Sequence, residues 1–225
     1  MDLISTIILL YSGIGVNIAL VTLAPFFPTM LAQKNIDPVF NGVVFSGFSL
    51  PYIFSPYILS RCLFPKLGHI NTFVLGCCLL GVGMWLFAII DFITSKPLFV
   101  IAGLITRIIE GAGSAFIFGA STSILSIAFS TTLARYMTIY QACLGFGKMV
   151  GPLFGATFFK IGGYRLPFII VGFINFSSIA LKWSSRGENW LESSIIENSE
   201  KEEEENRPSS WEILRIPRAH YALLN

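Results

Sequence analysis

Six long apolar runs separated by short charged loops constrain this chain more than any other feature of its sequence. The runs are residues 3–32, 39–60, 70–90, 98–129, 136–159 and 166–183. A helix needs about 20 apolar residues to cross the hydrocarbon core of a bilayer, and each run is of that order or longer. The pattern therefore predicts an all-α membrane protein with six transmembrane helices.

The composition excludes a soluble fold. Of the 225 residues, 54% are hydrophobic and 12% are charged, whereas soluble domains carry about 25% charged residues. A soluble domain of this size cannot bury so much apolar surface, because its ratio of surface to volume is too high. The net charge of +2 is too small to indicate a nucleic-acid partner.

Charge is concentrated after the last apolar run. We predict a six-helix bundle over residues 1–183 and an acidic, disordered cytoplasmic linker over residues 184–210. Residues 211–225 mix apolar and basic side chains, which favours a short amphipathic segment leading toward a seventh span that the chain lacks. An even number of spans places both termini on one side, and the charged tail favours the cytoplasm. The prediction is an integral multi-pass protein of a vesicular, endolysosomal or plasma membrane.

Small residues recur at every fourth position in two of the runs. They are Gly111, Ala115, Gly119 and Ser123 in the fourth run, and Cys143, Gly147, Gly151 and Gly155 in the fifth. Such a face lets two helices approach closely in lipid. Pro152 follows Gly151 and predicts a kink, since proline removes a backbone donor.

Three charged residues lie in the interior of the runs, away from their ends. Arg107 and Glu110 are three residues apart in the fourth run, so they can pair on one helix face. Lys148, in the fifth run, has no acidic partner in its own helix. It is therefore neutral, paired with Glu110 across helices, or solvated by a cavity. Because charge facing lipid is costly, we expect all three to converge on one polar locus inside the bundle.

Four segments carry a family resemblance. TRIIEGAGSA, residues 106–115, resembles the fourth-helix signature of the major facilitator superfamily, in which an Arg precedes a Gly-x-Gly, here Gly111 and Gly113. GKMVGPLFGA, residues 147–156, resembles the fifth-helix motif of its drug/proton antiporters. LAPFFP at 23–28 and GYRLPF at 163–168 look like the vesicular amine transporter branch, especially its polyamine-type members.

This resemblance implies one half of a twelve-helix transporter that exchanges protons for a small organic cation or amine. Together with the cost of intramembrane charge, it predicts a proton and substrate path through Arg107, Glu110, Lys148, Asn17 and Gln141, and it implies that Glu110 carries the proton. The implied partners are the solute, protons, the lipid bilayer, and a second six-helix half or a second copy of the chain.

The sequence departs from the family pattern in three places. The loop PKLGH, with Lys66 and Gly68, lacks the Asp of the usual Asp-Arg-x-Gly-Arg motif on the cytoplasmic side. Asn17 and Gln141 stand near positions where amine transporters often place acidic residues. Lys148 stands where an apolar residue is usual.

Two other functional classes remain to be weighed. A six-span half cannot enclose an alternating-access path alone, so the chain could be a non-transporting structural or regulatory protein, or a truncated gene product. An intramembrane enzyme is disfavoured, because no catalytic cluster occurs and both histidines lie in a loop or the tail. The four cysteines lack metal-ligand spacing, so we expect neither metal nor cofactor.

Overall fold

The computed structural model describes residues 3–179, with side chains from residue 6 onward, and all of their regular structure is helical. The helices are α1 (Leu3–Thr22), α2 (Phe27–Gln33), α3 (Val39–Ile58), α4 (Phe64–Ile89), α5 (Lys96–Ala128), α6 (Leu133–Gly162) and α7 (Arg165–Ser177). The predicted linker and amphipathic segment lie outside the described residues.

Four helical stretches are long and apolar enough to cross a membrane. They are Thr6–Gln33, Val39–Phe92, Lys96–Ala128 and Ser130–Gly162, and the apolar helix Arg165–Ser177 is shorter. The predicted all-α membrane class is therefore confirmed. The six crossings stay a prediction, because Val39–Phe92 is one stretch of 54 residues and the sixth run extends past the described residues.

The first apolar run is divided into two helices. α1 ends at Thr22, and a turn leads into α2, whose first turn contains Pro28. Proline has no backbone N–H to donate, so it is accommodated at the start of a helix and not in its middle. Phe27 of α2 then stacks on Phe99 of α5, with ring centroids 5.8 Å apart.

The sequence predicts a charged loop at residues 61–69, between the second and third apolar runs. This prediction is wrong, because these residues are helical except for one break. A π-helical segment, Leu59–Leu63, joins α3 to α4. The break is Gly68, with φ 75° and ψ 172°, a conformation that side-chain-bearing residues rarely adopt. A Cβ at Gly68 would meet nothing within 4 Å, so the backbone conformation and not a lack of space requires glycine.

Helix α5 packs between α3 and α4, and its contacts fix their directions. Gly103 faces Val44 and Gly119 faces Leu59, so α3 runs parallel to α5. Gly76 of α4 faces Ile117, whereas Gly83 faces Glu110, so α4 runs antiparallel to α5. The chain therefore reverses between α3 and α4.

The small residues of α6 lie against α1. A Cβ at Gly147 would come within 2.6 Å of the Ile14 carbonyl oxygen, and a Cβ at Gly155 within 3.3 Å of the Thr22 carbonyl oxygen. Residue numbers increase in the same direction along the two helices at these contacts, so α1 and α6 run parallel. Pro152 lies inside α6 and is exposed.

Polar contacts join three loops at one end of the bundle. Lys34 Nζ donates to the Ile93 carbonyl oxygen at 2.7 Å, and Lys96 Nζ donates to the Asn35 carbonyl oxygen at 3.1 Å. Arg165 and Asp91 form an ion pair at 3.1 Å. The α2–α3, α4–α5 and α6–α7 connections therefore share this end, and residues 61–69 share the opposite end with the α5–α6 connection.

We expect cysteines placed in these connections to be labelled from opposite sides of the membrane. In a background without the four native cysteines, Asp37→Cys and Thr94→Cys should react with an impermeant reagent on intact cells. Lys66→Cys and Thr131→Cys should react only after permeabilisation, because the amino terminus is predicted to be cytoplasmic. The reverse pattern would refute the orientation, and labelling of Lys66→Cys and Asp37→Cys from one side would refute the crossing of α3.

Gly151→Leu should destabilise the protein by more than about 1 kcal/mol, since overpacking a tight contact forces the backbone to shift. A Cβ at Gly151 would meet Val21 and lie 3.3 Å from the Ile18 Cα. Gly145, on the same helix, has nothing within 4 Å of its Cβ position, so Gly145→Leu is the matched control. Thermal unfolding in detergent measures both, and equal melting of the two variants would show that α1 does not pack here.

Candidate functional site

A buried ion pair lies on α5. Arg107 Nη1 donates to Glu110 Oε2 at 2.8 Å, and the two side chains are 1% and 2% exposed. The residues are three apart, so one turn of helix places both groups on one face. The pairing that the sequence spacing allows is present.

Aromatic rings surround the guanidinium group. Arg107 Cζ lies 4.9 Å from the ring centroid of Phe45, 5.8 Å from that of Phe48 and 5.5 Å from that of Phe87. A cation over an aromatic face is attracted by the ring quadrupole, and the attraction grows where water is excluded. The rings from α3 and α4 thus replace part of the solvation that Arg107 loses.

The side chain of Glu110 lies against α4. The Glu110 Cγ is 2.6 Å from the position that a Cβ on Gly83 would occupy, so the glycine leaves room for the acid. Glu110 Oε1 and the Arg107 atoms Nε and Nη2 are buried without a hydrogen-bond partner among the described residues. The pair is consequently held by one short bond and retains hydrogen-bonding capacity.

A second polar site is a pocket of about 270 Å³ between α1, α3, α5 and α6. Its polar groups include Asn17, Gln141 and Lys148, and Asn17 Nδ2 donates to the Gly13 carbonyl oxygen at 3.0 Å. Gln141 and Lys148 lie on α6, and both are exposed and line the pocket. The other lining residues are Val16, Leu20, Phe48, Tyr52, Phe118, Tyr140 and Leu144.

The structure brings the five predicted path residues together as two groups. Arg107 and Glu110 pair with each other, whereas Asn17, Gln141 and Lys148 share the pocket. The expected convergence of all three charges is wrong for Lys148, which belongs to neither ion pair found within residues 3–179. The physical reason is helix orientation: Glu110 points to α4, and α6 packs on α1.

Phe48 links the two groups. Its ring lies near Arg107 on one side and lines the pocket on the other. Sequence reasoning missed this role, and it missed Phe45 and Phe87 as well. The signal available was weak, since three among 21 phenylalanines do not stand out in an apolar chain.

The predicted cytoplasmic-loop residues lie at the opposite end from the ion pair of Asp91. Lys66 is exposed, and Gly68 makes the break in α4. The next residue, His69, has its Nδ1 3.1 Å from the Ser123 Oγ of α5, and its ring lies 4.3 Å from that of Phe64. This contact, which the sequence did not indicate, joins the α3–α4 connection to α5.

Comparison with known proteins matches residues 6–224 to the Major Facilitator Superfamily. The chain belongs to the major facilitator superfamily. The resemblance read from the fourth- and fifth-helix motifs is therefore confirmed, and the family is one of membrane transporters and not of enzymes.

Three curated relatives carry the same name, MFS-type transporter SLC18B1. The proteins of Mus musculus and Homo sapiens are each 26% identical over 196 residues, which is 87% of this chain and 40% of theirs. The protein of Rattus norvegicus is 28% identical over 152 residues, which is 68% of this chain and 33% of its own length. The chain thus spans about two fifths of the mouse and human proteins.

Removing one partner of the buried pair should be more damaging than removing both. Arg107→Leu leaves the Glu110 charge buried alone, and such losses cost about 3–5 kcal/mol. The double variant Arg107→Leu/Glu110→Leu should recover most of that stability. Thermal unfolding of the parent, the single variant and the double variant measures these differences in stability.

The exposed pair supplies the control for this comparison. The side chains of Arg165 and Asp91 are 45% and 35% exposed, and pairs of that kind contribute about 0–1 kcal/mol. Arg165→Leu should therefore melt close to the parent. A double variant at positions 107 and 110 that is no more stable than Arg107→Leu alone would contradict the assignment of a tightly coupled pair.

Proposed function

We propose that this chain is one six-helix half of a twelve-helix transporter that moves a small organic solute in exchange for protons. Membership of the superfamily supports a membrane transporter of a small molecule. The contact registers support the six crossings, since α3 and α4 run in opposite directions on α5, and α4 and α7 also run antiparallel, with Gly81 near Phe176 and Phe87 near Phe168. Transporters of this kind rock two bundles around a site near the bilayer midplane.

The pocket of Asn17, Gln141 and Lys148 is the observation that carries the proposal. Polar groups at depth in a bilayer are expensive, and they mark solute or ion paths. Lys148 lies near the middle of α6, and the pocket that it lines is open on one side. A second half or a second copy of the chain would close that side, and the site would then be enclosed between two bundles.

In this proposal Glu110 carries the coupled proton. Protonation of Glu110 removes the negative charge that attracts Arg107, whose Nη1 lies 2.8 Å from Glu110 Oε2. Arg107 rests against Phe48, and Phe48 lines the pocket, so a change in the pair reaches the solute site through one side chain. The proton site and the solute site are then separate but in mechanical contact.

The amine or organic cation implied by the vesicular amine resemblance stays a prediction. The described lining of the pocket contains no carboxylate. A counter-charge for an amine would therefore come from Glu110 after movement, or from the second half.

Glu110→Gln should abolish pH-gradient-driven solute uptake by the molecules that fold, although the loss of the counter-ion of Arg107 lowers their stability. Glutamine has nearly the same shape and still accepts a hydrogen bond from Arg107, but it cannot carry a proton at neutral pH. Uptake of a panel of amines and other small organic solutes, normalised to folded protein in vesicles, measures the effect in the chain alone and in the chain joined to a second six-helix half. Asp91→Asn, which alters the exposed pair, is the matched control and should leave the coupling unchanged.

Two outcomes would contradict parts of the proposal. Uptake by Glu110→Gln that still follows the pH gradient would remove Glu110 from the coupling. An absence of gradient-driven uptake of every solute, with the parent folded and a second six-helix half present, would favour the non-transporting structural or regulatory class.

A further inference from the structure

Lys148 is a cation without an anionic partner among the described residues. Residues 3–179 contain three carboxylates, Asp37, Asp91 and Glu110. Asp37 accepts a bond from the Val39 N–H at the α2–α3 connection, and Asp91 pairs with Arg165 at the same end. Glu110 is buried against Arg107. The ammonium group therefore faces the pocket with no internal anion to neutralise it.

The position of Lys148 makes this lack of a partner significant. It lies midway along a 30-residue apolar helix and lines a cavity instead of lying at a helix end, where a lysine can reach the headgroups. A charge at that depth persists when it meets water or an anion in a cavity. Lys148 is consequently the one charged type of side chain in the described lining of the pocket.

Resting on the proposed transport function, we propose that this pocket binds the anionic group of a small organic solute, with Lys148 as the counter-ion. The solute is a carboxylate with an aromatic body, because the walls are formed by rings and not by further charges. This assignment differs from the amine that the family resemblance implies.

The other lining residues fit such a solute. Gln141 lies on the same face of α6 as Lys148, two turns earlier, and its amide N–H groups can donate to a carboxylate oxygen. Phe48, Tyr52, Phe118 and Tyr140 provide the apolar walls against which a ring packs. The volume of about 270 Å³ lies just below the ~300–1,000 Å³ range of ligand sites, which favours a small solute of one ring.

Three probes with the same ring and different charge test the proposal. Benzoate, benzyl alcohol and benzylamine are titrated against the purified full chain, and binding is read from the rise in melting temperature. We expect saturable binding of benzoate, with affinity at least ten-fold higher than that for either comparator. This comparison requires no variant, so it stands even if a substitution impairs folding.

Variants then assign the effect to Lys148. Lys148→Met, which keeps the length of the side chain without its charge, should weaken benzoate binding at least ten-fold. Lys148→Arg, which keeps the charge, should remain within about three-fold of the parent. Lys160→Met removes a lysine from the carboxyl end of the same helix, outside the pocket lining, and should leave benzoate binding unchanged.

The results separate the anion site from the transport function. Equal benzoate affinity in the parent and Lys148→Met, preference for benzylamine, or no benzoate binding to the folded parent would each overturn the anion site. Benzoate binding that depends on Lys148, together with no uptake of any solute in vesicles, would refute transport and leave the anion site standing.

Discussion

The arrangement of this protein depends on the close contact of α5 with both α3 and α4. Lipid offers no hydrophobic drive for one helix to join another, so association relies on van der Waals contact between closely approaching backbones. Gly111 lies against the backbone of Phe48, and Gly113 lies against that of Leu80. With α5 fixed from two sides, Arg107 and Glu110 are enclosed by rings and a glycine from its neighbours. The ion pair is thus a consequence of helix packing as much as of its own attraction.

The two polar sites have different relations to solvent. The ion pair is nearly inaccessible, whereas Lys148 and Gln141 are exposed at the pocket. A buried pair and exposed pocket side chains respond differently to a change of charge, since the dielectric around each group sets the size of the response. Phe48 lies near Arg107 and also lines the pocket, so its ring is a direct contact between the two sites.

The sequence predicted the class of fold well, because apolar runs of membrane length have few other structures available to them. It also indicated the Arg107–Glu110 pair, since residues three apart on a helix lie on the same face whatever the helix packs against. It could not place Lys148. The small face of α6 is visible in the sequence, but the helix that it packs against is not, and that partner decides which way the adjacent Lys148 points. The helical path through residues 61–67 was missed for a similar reason: charged residues indicated a loop, while the break depends on the single backbone conformation of Gly68.

The space that Gly83 leaves for Glu110 ties two positions on different helices to one another. Any larger side chain at 83 would occupy the volume of the Glu110 methylene groups, so the acid would have to leave its partner or the helices would have to separate. A shorter residue at 110 would release that restriction and leave Arg107 without its counter-ion. A side chain at position 83 therefore fits without displacing its neighbours only where residue 110 lacks those methylene groups, so the shape of the contact couples the residues that the two positions can hold.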